Sequence, residues 1–452
     1  MSVSRAAIIL AAGQGTRMKS KTVKVLHSVG GRPMLGWAID LAGAVGAANP
    51  VTVYGAHSPA VAEAAETLGS ATALQDPPLG TGHAVLAARE ALAGFDGPAI
   101  VLYADTPLIT AETVERVFET LEAGASVAVL GFEPEDPAAY GRLITDAEGN
   151  LDRIVEYKDA NAEERAVRLV NSGVVAAQSD LLFDLLDHVG NDNANGEYYL
   201  TDIVGLARDR GLKAAVVRAD ADEVLGVNCR VDLAEAEAAF QARRRKKAMV
   251  DGVTLIAPET VFFSWDTSIA RDVVVEPNVV FGPGVDIAED AQIKAHSHLE
   301  GATVGAGSVI GPFARLRPGT QLARATKVGN FVETKNTQVA EGAKINHLSY
   351  VGDASVGERA NIGAGTITCN YDGYEKHRTV IGAGAFIGSN TSLVAPIEIG
   401  EGAYTGSGGV ITENVPADAL ALARGTQSVK DGWAARYRAA KSARKAKKDV
   451  SK

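Results

Sequence analysis

The chain has 452 residues, 46% of them apolar and 22% charged, with 48 glycines, about one residue in nine against a usual one in fourteen. That composition excludes a disordered or collagen-like chain, and at roughly 150 residues per domain it fits two domains if one is elongated. The net charge is −11, yet residues 430–452 carry nine Lys or Arg against Asp431 and Asp449, so the remaining body is near −18 and repels DNA and anionic membranes unless phosphate is met by local sites.

From residue 5 to about 228, short β-branched runs alternate with Ala-rich amphipathic stretches. Ala6–Leu10, Pro50–Tyr54, Ala99–Tyr103 and Ser126–Phe132 read as strands, and residues 33–47, 59–68, 83–93 and 111–123 as helices. Strand and helix in turn predict a mostly parallel sheet covered on both faces, with ligands beyond the carboxyl ends of its strands. Ala6–Ala12 has the look of a short signal core but runs into Gly13-Gln14-Gly15-Thr16-Arg17 rather than a cleavage site, so it is taken as a buried first strand. Over Val231–Met249, Leu233, Ala236 and Phe240 share one face of a helix about 28 Å long. It is expected to be a rigid strut between domains, with Arg243–Lys247 as its solvated face. The expected division is a first domain over 1–228, a helical linker over 229–250 and a second domain over 251–452.

Beyond residue 252 a period of six appears. Aliphatic residues recur at Val275, Phe281, Ile287, Ile293 and Leu299, then at Val304, Ile310, Leu316, Leu322 and Val328, and again at Val339, Ile345 and Val351. Val356 and Ile362 follow, and Ile381, Ile387, Leu393 and Ile399 form a last unbroken set. This is a hexapeptide solenoid in which three short strands per coil put one aliphatic each into a triangular interior and glycine supplies the tight bends. The segment Tyr371–Arg378 interrupts the period and is expected to leave the coil as a loop. No apolar run approaches the ~20 residues that span a bilayer. Cys229 and Cys369, the two cysteines, stand 140 positions apart, so neither a disulfide framework nor a zinc cluster can be written, and a soluble protein of a reducing cytoplasm is expected.

Several segments carry chemistry by residue type alone. Leu10-Ala11-Ala12-Gly13-Gln14-Gly15-Thr16-Arg17-Met18 follows the first strand without the spacing of a P-loop. Such a loop lets backbone N–H groups approach a triphosphate, with Arg17 and Lys24 as nearby cations, or it is simply a tight turn. Ala104-Asp105-Thr106-Pro107 sets a carboxylate at a strand end, where Mg²⁺ could take one or two protein oxygens, and it is equally a good turn. In the solenoid, Arg317 and Lys335 lie eighteen residues apart, one coil, and two stacked cations repel unless an anion sits between them. His347 is the candidate general base, because imidazole titrates near working pH. A Cys369 thiolate relay is the rival scheme.

Together, the loop Leu10–Met18, Lys24 and Leu79-Gly80-Thr81-Gly82-His83-Ala84 resemble the sugar-nucleotide pyrophosphorylases. With the hexapeptide half, essentially the whole chain resembles the family of bifunctional N-acetylglucosamine-1-phosphate uridylyltransferase and glucosamine-1-phosphate acetyltransferase enzymes. The sharpest stretches are Gly311–Gly319, Gly329–Glu333 and Asn361–Gly373. The resemblance implies an α/β nucleotidyltransferase domain with a Rossmann-like mixed sheet, followed by an all-β left-handed parallel β-helix. By it, Leu10, Ala11, Ala12, Gly13, Lys24, Gln75, Gly80 and Thr81 hold the uridine nucleotide, with Gln75 on the uracil edge. Tyr103, Ala104, Asp105, Gly141, Glu156, Asn171 and Asn228 complete the sugar and metal site, and Asp105 and Asn228 hold Mg²⁺ jointly, the second from a closing strand. The family usually has glycine where this chain has Ala104, which brings an extra methyl close to the site.

In the second half the resemblance makes His347 the base that deprotonates glucosamine 1-phosphate. Arg317, Lys335, Tyr350 and Asn361 bind that sugar, and Ala364, Asn370, Tyr371, Ser389, Ser407 and Arg424 fall at acetyl-CoA positions. Ser407 replaces an alanine of some relatives. UTP and acetyl-CoA are the implied co-substrates, Arg17 and Lys24 the catalytic cations, a homotrimer the implied assembly, and UDP-N-acetylglucosamine for peptidoglycan and lipopolysaccharide the implied product. Trp433 and Arg436 of the basic tail either cover the acyl site or belong to a disordered end. The alternatives are a single-activity sugar-1-phosphate nucleotidyltransferase whose solenoid only assembles or regulates, and a trimerisation scaffold carrying a decayed nucleotide module.

Overall fold

The computed structural model describes residues 4–47, 49–137 and 139–450. They form two compact units, one reaching to Thr267 and taking in Val280–Gly284, the other made of Ser268–Val279 and the chain from Val285 onward.

The first unit is built on a sheet whose main path runs Ala214–Arg218, Val127–Phe132, Val170–Gln178, Pro98–Tyr103, Ala6–Leu10, Val51–Gly55, Ala71–Gln75. Neighbours are parallel except Val170–Gln178, which is antiparallel to both of its own. The strands read as continuous apolar runs because both faces are covered. Ile9, Ile100 and Leu102 pack on one side with Leu35 and Phe118, and Ile8, Val101 and Val129 on the other with Val85, Leu182 and Ile203. The helix expected over 83–93 instead starts at Thr81, ends at Ala87 and is followed by a 3-10 turn at Glu90–Leu92.

The helix Arg230–Val250 packs within this unit. Ala236 and Phe240 enter a cluster with Val29, Met34, Leu108 and Val227, and Phe240 meets Trp37 edge-on at 5.5 Å. Its basic run is not a solvated face. Arg243 donates to the carbonyls of Leu108 and Asp222 (2.6 and 2.9 Å), Arg244 to Thr267 (2.5 Å) and Arg245 to Val261 (2.8 Å). These guanidiniums satisfy loop carbonyls that no secondary structure reaches, and Lys246 and Lys247 are the residues left exposed.

The second unit is a parallel β-helix. Gln292 pairs with Val309, Val309 with Lys327, Lys327 with Lys344 and Lys344 with Asn361, so one coil takes 17 or 18 residues. The hexad aliphatics of this unit, Ile293, Ile310, Val328, Ile345, Ile362 and Ile387 among them, are all buried. Positions 334, 368 and 405 also point inward but hold threonine, which is why an aliphatic period skips them. Their hydroxyls are satisfied internally, Thr334 on Thr320 at 3.0 Å and Thr368 on the Gly352 carbonyl at 3.1 Å.

Glycine alone does not make the bends. His296, Phe313, Phe331 and Leu348 recur at successive coils with φ of 61°, 56°, 56° and 52°, a conformation that costs a non-glycine residue roughly 1–2 kcal/mol. Stacking offsets part of that cost, with ring centroids 4.7 Å apart for His296 and Phe313 and 5.2 Å for Phe313 and Phe331. The next pairing, Asn361 with Phe386, spans seven or eight more residues than the others, because 371–378 leaves the coil as expected. The last described element is a helix, Trp433–Val450, whose described side chains are exposed and where Trp433 stacks on Tyr437 at 5.0 Å. No described helix is long and apolar enough to cross a membrane.

Candidate functional site

In the first unit the loop after Ala6–Leu10 is tied on both sides, Ala11 N–H to the Val53 carbonyl (2.8 Å) and Ala104 N–H to the Leu10 carbonyl (3.1 Å). A cleft of about 260 Å³ opens there, lined by Leu10, Ala11, Ala12, Gly13, Lys24, Gln75, Gly80, Thr81, Tyr103 and Asp105. Gln75 is buried, donating to the Gly80 carbonyl at 2.9 Å and to His83 at 3.2 Å. Gly80 sits at φ +114°, and a Cβ there would stand 2.6 Å from the Tyr198 carbonyl oxygen, so only glycine fits.

A second cleft of about 440 Å³ shares Tyr103 and Asp105 and is lined also by Arg17, Tyr140, Ser172, Asn228 and Asp232. Asn228 comes from the loop entering the helix Arg230–Val250 rather than from a strand. Val227 N–H donates to the Asp105 carbonyl at 2.8 Å, which brings residues 123 positions apart side by side. The Lys24 ammonium bridges them, touching the Asp105 carboxylate and lying 3.2 Å from Asn228 Oδ1. One carboxylate and one amide oxygen thus converge on a single positive centre, the hard-oxygen donor set that suits Mg²⁺. Arg17 is exposed at the cleft edge.

Gly141, Asn171 and Glu156 form a connected group. Asn171 N–H donates to the Gly141 carbonyl at 2.8 Å, and a Cβ on Gly141 would lie 3.5 Å from the Glu156 carboxylate. Burial raises the Glu156 pKa, and Asp159 and Asp202 add to it, against a hydrogen bond from Thr201. Tyr103 is likewise raised, by burial first and then by Asp105 and Glu156. Ala104 is fully buried in the core with Ile9 and Leu102, so its methyl does not narrow either cleft.

In the second unit the predicted residues gather where adjoining strand columns meet. Leu316 pairs with Thr334 and Lys335 with Gly352, and Arg317 N–H donates to the Thr334 carbonyl, which stacks Arg317 and Lys335 as expected. Their mutual repulsion is not left for a ligand to relieve, however. Arg317 is paired with Glu333 at 2.8 Å, and Lys335 is 4.0 Å from Asp353. A further cation, Lys376, comes from the loop after Tyr371, and its ammonium is held below its usual pKa by its contact with Lys335 and by the charge there. Sequence reasoning missed Lys376, although the broken hexad over 371–378 marked its segment. Burial works to raise the Asp353 carboxyl, but hydrogen bonds from Asn336 and Asn370, with Lys335 and Lys376 nearby, hold it low.

His347 is exposed, and its Nδ1 lies 2.7 Å from Asn330 Oδ1, its partner one coil earlier in the strand register. An amide oxygen only accepts, so Nδ1 is the donor in this contact and Nε2 is the ring nitrogen it leaves unengaged by Asn330. Asn330 was not singled out in the sequence. Gly365 N–H donates to the His347 carbonyl at 3.2 Å, which sets Ala364 one coil above the imidazole. Asn361 pairs with Lys344 on the same column, and Tyr350 pairs with Glu333 on the next. Asn370 is buried against Asp353 and reaches the Tyr350 hydroxyl at 3.5 Å, while Tyr371 is exposed. The remaining positions climb in one line. Asn390 N–H bonds the Ala364 carbonyl, Gly408 N–H the Ser389 carbonyl, and Arg424 the Ser407 carbonyl (2.7, 2.8 and 3.3 Å). Ser407 enters that line through its backbone, so a hydroxyl in place of a methyl leaves the line unchanged. Cys369 is a free thiol in the strand Ile367–Cys369, without a basic hydrogen-bond partner among the described residues.

The MobA-like NTP transferase domain matches residues 7–171. A bifunctional protein GlmU of Maricaulis maris (strain MCS10) is 74% identical over 449 residues, 99% of each chain. Its counterpart in Caulobacter vibrioides is 58% identical over 450 residues, 99% of this chain and 97% of its own. A crystal structure of UDP-glucose pyrophosphorylase complexed with UDP-glucose covers 53% of this chain and all of that one at 20% identity, with a TM-score of 0.43, a likeness too distant to carry weight. Identity of more than half over nearly the whole of both relatives is decisive, and the chain belongs to the bifunctional GlmU family.

Proposed function

We infer that the chain is two enzymes on one polypeptide, and we propose which residues do the work. It acetylates glucosamine 1-phosphate and couples the product to UTP, making UDP-N-acetylglucosamine, a cell-wall precursor. Uridylyl transfer belongs to the first unit. Leu10–Gly13, Gln75, Gly80 and Thr81 seat the nucleotide, and Tyr103, Gly141, Glu156 and Asn171 seat the sugar. Asp105 and Asn228 hold Mg²⁺, which when bound supplies positive charge to the phosphates. A sugar-phosphate oxygen forms the new bond to the α-phosphorus in line, the α–β bridging P–O bond breaks, and its electron pair leaves with pyrophosphate. Arg17 and Lys24 offset the developing charge. No protein base is needed, since the attacking phosphate is ionised near neutral pH.

Acetyl transfer belongs to the solenoid. Arg317, Lys335 and Lys376 take the sugar phosphate, Tyr350 and Asn361 orient the ring, and acetyl-CoA lies along the line from Ala364 to Arg424, with Asn370 and Tyr371 beside it. His347 Nε2 removes a proton from the 2-amino group as nitrogen attacks the thioester carbonyl. The C–S bond then breaks, and the thiolate of CoA recovers the proton. The working form is a cytoplasmic homotrimer with acyl sites shared between subunits.

The observation that carries the metal and uridylyl assignment is the convergence of Asp105 and Asn228 on one ammonium. The test runs both half-reactions on the wild type, Asp105→Asn and His347→Ala. The first variant is expected to lose only uridylyl transfer and the second only acetyl transfer. A folded variant that loses both would refute the two-site assignment.

A further inference from the structure

Asn228 can offer its amide oxygen beside Asp105 only if the backbone entering the helix Arg230–Val250 is held in one place. One hold is already named, Val227 N–H on the Asp105 carbonyl at 2.8 Å. The other comes from the third residue of the helix. Asp232 Oδ2 accepts from the backbone N–H of Asn228 at 2.7 Å and of Cys229 at 3.0 Å, and Asp232 Oδ1 accepts from the Cys229 thiol at 3.1 Å.

These N–H groups lie at a helix start, where no helical carbonyl can reach them, and the helix dipole favours a carboxylate there. The usual residue pair at such a start is Ser or Thr followed three positions later by Glu or Gln. Here Cys229 is a weak capping group and the third residue is Asp, one methylene shorter. Cys229 and Asp232 still form a reciprocal capping box, and Asp232 extends it by accepting from the Asn228 N–H as well. With one oxygen taken by two backbone donors and the other by the thiol, it is engaged as a clamp rather than as a cation ligand, although it lines the same 440 Å³ cleft as Arg17, Asp105 and Asn228.

We propose that Asp232 is a positioning residue for uridylyl transfer, fixing Asn228 so that its amide oxygen faces the same cation as Asp105. This rests on the metal site proposed above. The test is Mn²⁺ binding to the full chain in the presence of UTP, followed by water-proton relaxation, for the wild type, Asp105→Asn, Asp232→Ala and Asp232→Asn. Removing an outer partner of a metal ligand commonly weakens binding 10- to 100-fold. Asp232→Ala is expected to weaken Mn²⁺ binding about tenfold and to raise the Mg²⁺ requirement of uridylyl transfer in parallel, with acetyl transfer unchanged. Asp232→Asn, which keeps an accepting oxygen, is expected to recover most of the loss.

If Asp105→Asn abolishes Mn²⁺ binding while Asp232→Ala binds as the wild type does, the positioning role is wrong and the metal site stands. If both Asp232 variants lose binding equally, charge and not positioning is responsible, and the proposal is overturned. If Asp105→Asn binds Mn²⁺ normally, the metal site itself is wrong. Should Asp232→Ala fail to fold, Asp232→Gln, whose amide oxygen can accept from the same capping position, decides the matter by the same Mn²⁺ measurement.

Discussion

The two units bring polar side chains together by opposite routes. In the solenoid, distance along the chain is distance in space. Arg317 and Lys335 stack because one coil takes 17 or 18 residues, and Asn330 meets His347 for the same reason. In the α/β unit, Asp105 and Asn228 meet across 123 residues because the Val227 N–H closes on the Asp105 carbonyl. A repeat makes a site by arithmetic, whereas a wound sheet makes one by closure. Solenoid sites should therefore fail locally, and the nucleotide site should fail whenever closure does.

The largest expected effect is the crossed one. His347→Ala should lower acetyl transfer by about 10²–10⁴-fold, and Asp105→Asn should lower uridylyl transfer by more than about a hundredfold, each leaving the other reaction within about twofold. Steady-state assays of both half-reactions read this directly.

Glycine substitutions come next, since they test closure. Gly80→Ala sets a Cβ 2.6 Å from the Tyr198 carbonyl at φ +114° and should destabilise the first unit by about 1–3 kcal/mol while weakening UTP binding. Gly384→Ala in the solenoid, at φ +62° with open space around it, should cost about 1 kcal/mol. Calorimetric melts of the two variants distinguish the units, and equal losses would erase the contrast.

Asn330→Ala should reduce acetyl kcat about tenfold by freeing the imidazole. Asn330→Asp, which keeps an accepting oxygen for the imidazole, should retain more of that kcat than Asn330→Ala. A smaller effect concerns Lys376, whose pKa the neighbouring Lys335 depresses. Phosphate binds the charged form, so as pH rises through that lowered pKa the KM for glucosamine 1-phosphate should climb sooner in the wild type than in Lys376→Arg, whose guanidinium stays charged. Smallest of all is Ala104→Gly, expected to cost about 0.5–1 kcal/mol of stability with no change in the KM for UTP, since the methyl packs into the core.

The pattern of side chains along the chain was sufficient for the solenoid, because a six-residue period repeated in phase admits one way of burying Ile293, Ile310, Val328 and Ile345 together. It was sufficient, too, for the strand ends that carry the glycine-rich loop and Asp105, since an apolar run followed by glycine or Asp-Thr-Pro can only end there. Three matters required the folded chain. Arg243, Arg244 and Arg245 look like a solvated charge run, yet they serve loop carbonyls whose positions no local pattern encodes. Lys376 reaches Lys335 only because its loop leaves the coil and returns. Asn228 acquires its place from Val227 and Asp232 at a helix start, not from a strand. The physical reason is common to all three. Hydrophobic burial is periodic and can be read along the chain, but a polar group's partner is chosen by geometry between segments that sequence separation does not specify.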